Sequence, residues 1–197
     1  VSLGHIESNP YSQIRQGRPQ PKPRTVLTLE ELQLLRTYIP PTKSRRIALD
    51  FFLIQCYTGL SYSDLMATDF TTAENHNGNL ILPRTTRVKT GTQLYIVPLP
   101  LVEDILKRHE YKLPQITLSA YPQQLALIEE ETGIGKHITS HVGRHTFATS
   151  VALGSGIPIE VVSKMLGHTN IQTTQQYAKI MPKQVMEGFT QIKKVVS

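Results

Sequence analysis

The stretch LGHTNIQTTQQY, from Leu166 to Tyr177, decides how the last third of this chain is interpreted. It follows the apolar segment IPIEVVSKML, in which Pro158 stands at the first turn and Gly167 comes just after the end. Proline near the start and glycine just past the end are common helix boundaries. A left-handed glycine turns the chain sharply, so we expect His168 at a corner and Tyr177 on the next helix, near residues 171–179.

A second polar segment lies just upstream, ITSHVGRHTFATSVALGSG, from Ile138 to Gly156. Thr139 or Ser140 is suited to cap a helix over about residues 139–153. On that helix His141 and Arg144 are three positions apart, which predicts that both project from one face. A guanidinium with two parallel donors and an imidazole beside it are suited to binding a phosphate group.

The histidines of this segment also allow a metal-site reading. His141 and His145 are four positions apart, like the two histidines of an HExxH zinc motif, but the glutamate is missing and no third ligand is indicated. We therefore expect no metal and no cofactor. His145 and His137 are expected to cap a helix or fill a gap.

The rest of the chain predicts a mainly α fold with a small antiparallel β-sheet (α+β). Thr28 and Glu31 form a capping-box pattern before a first apolar stripe. The short apolar runs NLILP and QLYIVPL, with Gly91 between them, predict a β-hairpin. Helices are expected near residues 47–57 (ended by Gly59), 61–66, 101–109, 120–132, 139–153, 158–166, 171–179 and 182–192.

The composition favours a polyanionic partner. The chain has 197 residues, 21 Lys+Arg against 15 Asp+Glu, and a net charge of +6, which makes nucleic acid the leading candidate partner. No apolar run approaches the roughly 20 residues of a membrane span, so no membrane partner is expected. The single cysteine, Cys56, excludes an internal disulfide and suits a reducing cytoplasm.

The order of these motifs resembles the tyrosine recombinase (phage integrase) family. That family has His-x-x-Arg, then Leu-Gly-His, then a nucleophilic tyrosine, and the matching residues here are His141, Arg144, His168 and Tyr177. Upstream, TGLSYSDL is similar to the family's TGLR box, and RVKTGTQLYIVPL is similar to its lysine-bearing β-turn. The resemblance runs from about Arg24 to Ile180.

The resemblance implies a role for each matching residue. Tyr177 would attack a DNA phosphodiester and form a 3′-phosphotyrosine link. Arg144 and His168 would bind the non-bridging oxygens, and His141 would accept or buffer the proton. Lys89 would be the general acid for the leaving 5′-oxygen.

One position departs from the family pattern. The TGLR box carries a second phosphate-binding arginine, and Ser61 stands in its place here. Arg87 is our candidate substitute because it is two residues from Lys89, so that on a strand both side chains would leave the same face. Arg45, Arg46 and Arg84 are alternatives. Asp64 is expected to be a structural brace.

The resemblance also implies a domain organisation. Residues 1–24 are interpreted as a basic, proline-rich linker from a missing amino-terminal DNA-binding domain, residues 25–181 as the catalytic domain, and residues 182–197 as a tail helix. That tail would dock either on its own domain or on a neighbouring protomer. Candidate contacts to the DNA backbone are Arg15, Lys22, Arg24 and Lys43.

The implied function is that of a site-specific recombinase or integrase of a mobile element, such as a phage or transposon. Its partner would be double-stranded DNA, bound as a homo-oligomer (a tetramer), while the free chain could be a monomer; no small-molecule substrate is expected. It would act in the cytoplasm on the nucleoid. The alternatives are a catalytically impaired DNA-binding module of the same fold and a type IB topoisomerase-like enzyme.

Overall fold

The first two helices establish the core. The computed structural model describes residues 24–76, 79–96 and 98–177. Helix α1 (Leu29–Thr37) begins with the predicted capping box, in which Thr28 and Glu31 each bind the other's main-chain N–H. Helix α2 (Lys43–Thr58) starts four residues earlier than expected, because Thr42 caps it, and it ends at the left-handed Gly59.

Helix α2 lies at the centre of the fold. From Ala48 onward almost every residue is buried, and the helix packs against α1, the short helix α3 (Tyr62–Ala67), α4 (Pro100–Arg108) and α5 (Ala120–Thr132). Its buried polar side chains all have partners. Asp50 accepts from Arg108 and pairs with His109, and Gln55 donates to Ser140 and accepts from Tyr121. These bonds offset the cost of burying polar groups.

The sheet has three antiparallel strands in the order β1 (Glu74–His76), β2 (Asn79–Thr86) and β3 (Gln93–Ile96). The β2–β3 hairpin is confirmed, whereas β1 was not expected. The β2–β3 register shifts between Leu82 and Thr85, where Pro83 lacks the N–H that a regular ladder needs. Strand β2 ends at Thr86, and the chain then turns over residues 88–90.

The carboxyl-terminal third is helical but less regular than predicted. Instead of one helix over residues 139–153, α6 (Ser140–Thr146) runs into a π-helical segment (Phe147–Ala152) and a short 3₁₀ turn. Helix α7 (Ile159–Met165) ends at Leu166, and Gly167 follows in the expected left-handed conformation with φ +60°. Helix α8 (Gln172–Gln175) is much shorter than predicted, so Tyr177 lies in a turn beyond it.

Some predicted segments lie outside the residues that the structure describes. Residues 1–23 of the linker, including Arg15 and Lys22, and the tail helix over residues 182–192 lie beyond the described ranges. Within those ranges, none of the helices has the length and apolar content needed to cross a bilayer.

Candidate functional site

Arg144 is a buried cation held by main-chain carbonyls. Its Nη1 donates to Gly59 O (2.5 Å) and its Nη2 to Leu166 O (2.6 Å). Both carbonyls lie just after helices, because Gly59 ends α2 and Leu166 ends α7. The side chain is 6% exposed, whereas His141 is exposed, so the two residues do not share one face as predicted. The carbonyls fix the plane of the guanidinium.

His168 lies at the predicted corner, in contact with Arg144. Arg144 Nη2 is 3.1 Å from His168 Nε2, and Thr174 Oγ1 is 2.7 Å from Nδ1. Since arginine can only donate, Nε2 is the acceptor and Nδ1 carries the hydrogen. Burial, followed by the charges of Arg144, Arg87 and Arg24, lowers the pKa of His168 to about 4. The imidazole is therefore neutral near pH 7.

Arg87 reaches the same corner from the hairpin. A Cβ added to Gly167 would lie 2.8 Å from Arg87 Cδ, so the arginine stem packs directly against the residue before His168. Its Nε is 3.5 Å from Asp64 Oδ2, a distance for an ion pair, and makes no hydrogen bond to any described residue. Next to burial, the Arg87 charge is the largest cause that lowers the pKa of Arg144, to about 10.

Asp64 is the brace that the sequence predicted. It is 1% exposed, and its carboxylate accepts from Ser61 Oγ (2.6 Å) and from the Val88 main-chain N–H (2.8 Å). Ser61 itself caps α3. The serine in the family's arginine position therefore has a structural role, and Asp64 ties α3 to the hairpin turn that carries Arg87.

Tyr177 joins the cluster of Arg144, His168 and Arg87 through His145, the residue that follows Arg144. The ring is almost buried, at 7% exposure, and its hydroxyl lies 2.9 Å from His145 Nδ1. The expectation that His145 only caps or fills a gap is therefore wrong. The α6 main chain directs Arg144 towards Gly59 and the following His145 towards Tyr177. Burial raises the pKa of Tyr177, while the charges of Arg24, Arg144 and Arg87 lower it.

Several predicted site residues stay outside this cluster. Lys89 is exposed in the hairpin turn and makes no hydrogen bond or ion pair within the described part of the chain. Because residues 87–90 do not form a strand, the argument that Arg87 and Lys89 leave one strand face is wrong. His141 contacts the ring of His145, at 6.2 Å between centroids. His137 is a surface residue that pairs with Glu129.

The alternative arginines on α2 are far from the cluster. Arg45 pairs with Glu131 in the first turn of α2, and Arg46 is next to it. Gly59 is fourteen residues from Arg45, which corresponds to about 20 Å along a helix. Lys43 is exposed at this same remote end.

Two residues of the site have roles that the sequence does not predict. Thr174 is fully buried and orients His168, and Arg24 contacts both His145 and the Tyr177 ring. Thr174 follows His168 by six residues, so only the fold of the turn between them brings the side chains together. For Arg24 the sequence predicts a DNA-backbone contact and gives no sign of the contact with the tyrosine.

The site is electropositive and suited to an anion. Arg144, Arg87 and Arg24 surround two histidines with lowered pKa values, and a phosphate would relieve the repulsion among the arginines. The described residues contain no cluster of three histidine, cysteine or acidic side chains that could bind a metal ion. The chemistry available here is that of a phenol near several cationic side chains.

Known proteins with similar sequences carry the same domain. The phage integrase family model matches residues 25–184. Tyrosine recombinase XerA of Thermococcus onnurineus is 28% identical over 187 aligned positions, which cover 83% of this chain and 62% of XerA. The chain thus spans less than two thirds of that relative.

Solved structures have the same fold. The crystal structure of XerA recombinase superposes with a TM-score of 0.67 at 21% identity, covering 87% of this chain and 66% of that one. The Tn1549 transposon integrase in complex with transposon right end DNA gives a TM-score of 0.69 at 17% identity, covering 98% and 73%. Because the family model covers most of the chain, including Arg144, His168 and Tyr177, the chain belongs to the phage integrase family of tyrosine recombinases.

Proposed function

We propose that the chain is the catalytic domain of a site-specific DNA recombinase or integrase of a mobile element, and that Tyr177 is its nucleophile. The observation that carries the proposal is the Tyr177 phenol, which lies 2.9 Å from His145 and whose pKa is raised overall by burial but lowered by the charges of Arg24, Arg144 and Arg87. A phenol has a pKa near 10, so an attacking tyrosine needs such stabilisation of its anion. The transposon integrase with bound DNA supports the mobile-element context.

In the proposed reaction the Tyr177 oxygen forms a bond to a DNA phosphorus, and the bond from phosphorus to the 5′-oxygen breaks. The product is a 3′-phosphotyrosine and a free 5′-hydroxyl. Since the number of phosphoester bonds is conserved, another 5′-hydroxyl can reverse the step and reseal the strand without ATP.

The cations would stabilise the charge that builds up on the non-bridging oxygens. Arg144 has at least two N–H groups left after its three contacts, and these are available to the phosphate. His168 is held beside Arg144 and would take up a proton or turn as the anion enters. A preorganised donor of this type contributes roughly 3 kcal/mol to transition-state stabilisation.

Arg87 is proposed to supply the cation that Ser61 lacks. Its guanidinium is anchored by its stem against Gly167, faces the buried Asp64, and has an Nε without a hydrogen bond among the described residues. A buried donor without an acceptor is costly, and an incoming phosphate oxygen would satisfy it.

Two further groups are proposed to handle protons. Lys89, on the exposed turn, would protonate the leaving 5′-oxygen once DNA covers the turn. His141, on the first turn of α6, would accept the phenolic proton through solvent, because its ring contacts His145 and not Tyr177.

The test is incubation with a nicked DNA end that releases a short fragment after cleavage and so traps the intermediate. We expect a covalent protein–DNA adduct that resists denaturation, and none with Tyr177→Phe. An adduct that persists in Tyr177→Phe would refute the assignment of the nucleophile.

Ser61 also supports a second candidate, a DNA-binding module of this fold that has lost catalysis. That candidate predicts DNA binding without an adduct in the same assay. A type IB topoisomerase-like enzyme would form the adduct but relax supercoiled DNA without paired sites.

The proposed assembly is a homo-oligomer on DNA, a tetramer, joined through the tail. The described surface offers an apolar groove of about 490 Å³ between β3, the π-helical segment and α7, lined by Tyr57, Ile96, Phe147 and Met165 among others. The tail has Val185, Met186, Phe189 and Ile192 at helical spacing, and we propose that this face from a second copy fills the groove.

Light scattering of the chain with and without residues 182–197 tests this assembly. We expect the tail to be needed for oligomers on DNA. An unchanged mass in both settings, including the DNA-bound one, would show that the tail docks on its own domain.

A further inference from the structure

The hydrogen bond between Tyr177 and His145 has a defined direction. The phenolic oxygen lies 2.9 Å from His145 Nδ1, and Arg24 Nη1 lies 2.9 Å from Nε2 of the same ring. An arginine has only donors, so Nε2 must accept from Arg24. A neutral imidazole then carries its single hydrogen on Nδ1 and donates it to the oxygen of Tyr177.

Arg24 is held firmly enough to impose this tautomer. Its Nη2 donates to Gln176 Oε1 (2.5 Å), and its guanidinium carbon lies 5.6 Å from the centre of the Tyr177 ring. The chain that follows is fixed to α6 and the π-helical segment, because the Leu27 main chain donates to Thr146 Oγ1 (3.0 Å) and accepts from Ser150 Oγ (2.5 Å).

Burial, together with the surrounding charges, keeps His145 neutral. Burial, followed by the charges of Arg24, His141 and Arg144, lowers its pKa to about 4. The charged groups that act on Tyr177 are Arg24, Arg144 and Arg87, and all three favour its anion. His145 is therefore a donor and not the base that deprotonates Tyr177.

We propose that His145 and Arg24 are positioning residues for the nucleophile: Arg24 fixes the His145 tautomer, and the Nδ1–H of His145 is donated to the Tyr177 oxygen. A hydrogen bond that is donated to a phenolic oxygen stabilises the phenolate relative to the phenol. The phenolic proton leaves to solvent, since both His145 nitrogens are occupied.

The role in catalysis rests on Tyr177 being the nucleophile, but the hydrogen bond can be tested without any reaction. The phenol of Tyr177 is titrated by NMR in the DNA-free chain labelled with ¹³C-tyrosine, and Tyr177→Phe assigns its signal. We expect His145→Leu, which fills the space without a donor, and Arg24→Gln each to raise the pKa of Tyr177 by about one unit. His145→Asn, whose amide nitrogen replaces Nδ1, should restore most of the shift, whereas His145→Gln, whose amide replaces Nε2, should not.

The second measurement is the rate of adduct formation on the nicked substrate between pH 6 and 10, with DNA affinity followed by fluorescence anisotropy. At pH 7.5 we expect roughly tenfold slower cleavage in His145→Leu and Arg24→Gln, and the difference should close above the phenol pKa, because a one-unit shift is a tenfold change in phenolate. Arg46→Gln removes the same charge at the far end of α2 and should leave the pH profile unchanged.

Three results would overturn the proposal. The pKa of Tyr177 could be the same in all variants, the cleavage rate could fall equally at every pH, or Arg24→Gln could lose activity only through weaker DNA binding. The last result would return Arg24 to the role of a phosphate contact. If the titration shifts as expected but no variant or wild-type chain forms an adduct, the hydrogen bond stands and the recombinase function fails.

Discussion

Arg144 and Arg87 meet at the same corner of the site but are held in opposite ways. Arg144 comes from a central helix, and two main-chain carbonyls fix it. Arg87 comes from the hairpin turn and rests on Gly167 through its stem. Among the described residues, only Asp64 approaches its charged end, at 3.5 Å. The first arginine is preorganised by the core, whereas the second is placed by a hairpin and, under the proposed function, would be completed by the DNA phosphate.

The largest effect is expected from removing either arginine. Arg144→Ala and Arg87→Ala should each slow adduct formation roughly a thousandfold in single-turnover assays, because each removes a cation from the transition state. Arg144→Ala should also lower the free energy of unfolding, since it leaves two buried carbonyls without a donor.

Ser61→Ala is the matched control for the missing family arginine. It removes a helix cap, worth about 1 kcal/mol, and should leave cleavage within a few fold. Full cleavage by Arg87→Ala would contradict the proposal that Arg87 replaces that arginine.

Substitution of Lys89 distinguishes proton transfer, the role proposed for Lys89, from charge stabilisation, the role proposed for Arg87. We expect Lys89→Ala to slow cleavage about a hundredfold, as is typical for the loss of a general acid. A substrate with sulfur in place of the leaving 5′-oxygen should restore the Lys89→Ala rate, because a thiolate needs no proton to leave. The same substrate should not rescue Arg87→Ala, and if it did, Arg87 would be the acid.

Gly167 lies where the end of α7 meets Arg87 of the hairpin, and its substitution should disturb both. An alanine there would have φ near +60° and a Cβ 2.7 Å from Leu94 and 2.8 Å from Arg87. We expect Gly167→Ala to lower the free energy of unfolding by about 2 kcal/mol and to displace Arg87. Gly156→Ala has φ +81° and open space, so denaturant unfolding should show only about 1 kcal/mol of loss. Equal losses in the two variants would argue against the tight packing of Arg87.

The smallest expected effect is the dependence of folding stability on pH. The pKa values of His145 and His168 are about 4 in the folded chain, against the ordinary histidine value of 6.5 expected after unfolding. Between these values the unfolded chain binds more protons, so stability rises with pH from about 4 to 6.5 and is level above that range. Each half-buried ring should contribute on the order of 1 kcal/mol after solvent screening.

Thermal unfolding of the DNA-free chain measures this dependence. The Tm should fall between pH 7 and pH 5, and the fall should be smaller in His145→Asn and His168→Asn. His137→Asn is the control, because His137 is an exposed histidine, and it should follow the wild type. A Tm that is independent of pH in this range would contradict the neutral histidines of the site.

Local sequence patterns were sufficient for most of the helices and for the hairpin. The capping box at Thr28, the glycine stops at Gly59 and Gly167, and the alternation around Gly91 each depend on nearby residues only. The patterns failed where tertiary contacts determine the type and length of a helix. The long helix after Ser140 becomes a π-helical segment, and the helix before Tyr177 ends early, so that its ring reaches α6.

The residue types and their order predicted by themselves that His141, Arg144, His168 and Tyr177 form one site. Three of them lie in one cluster in the fold, whereas His141 is exposed beside it. The directions of these side chains and their hydrogen-bond partners were decided only by the tertiary structure, because they depend on how helix ends and turns meet. The α6 backbone turned His141 to solvent and His145 to the phenol, and the hairpin carried Arg87 to Gly167. A sequence specifies which groups are available. Which nitrogen of each imidazole carries the hydrogen, and which atom accepts that hydrogen, depends on the neighbours that the fold supplies.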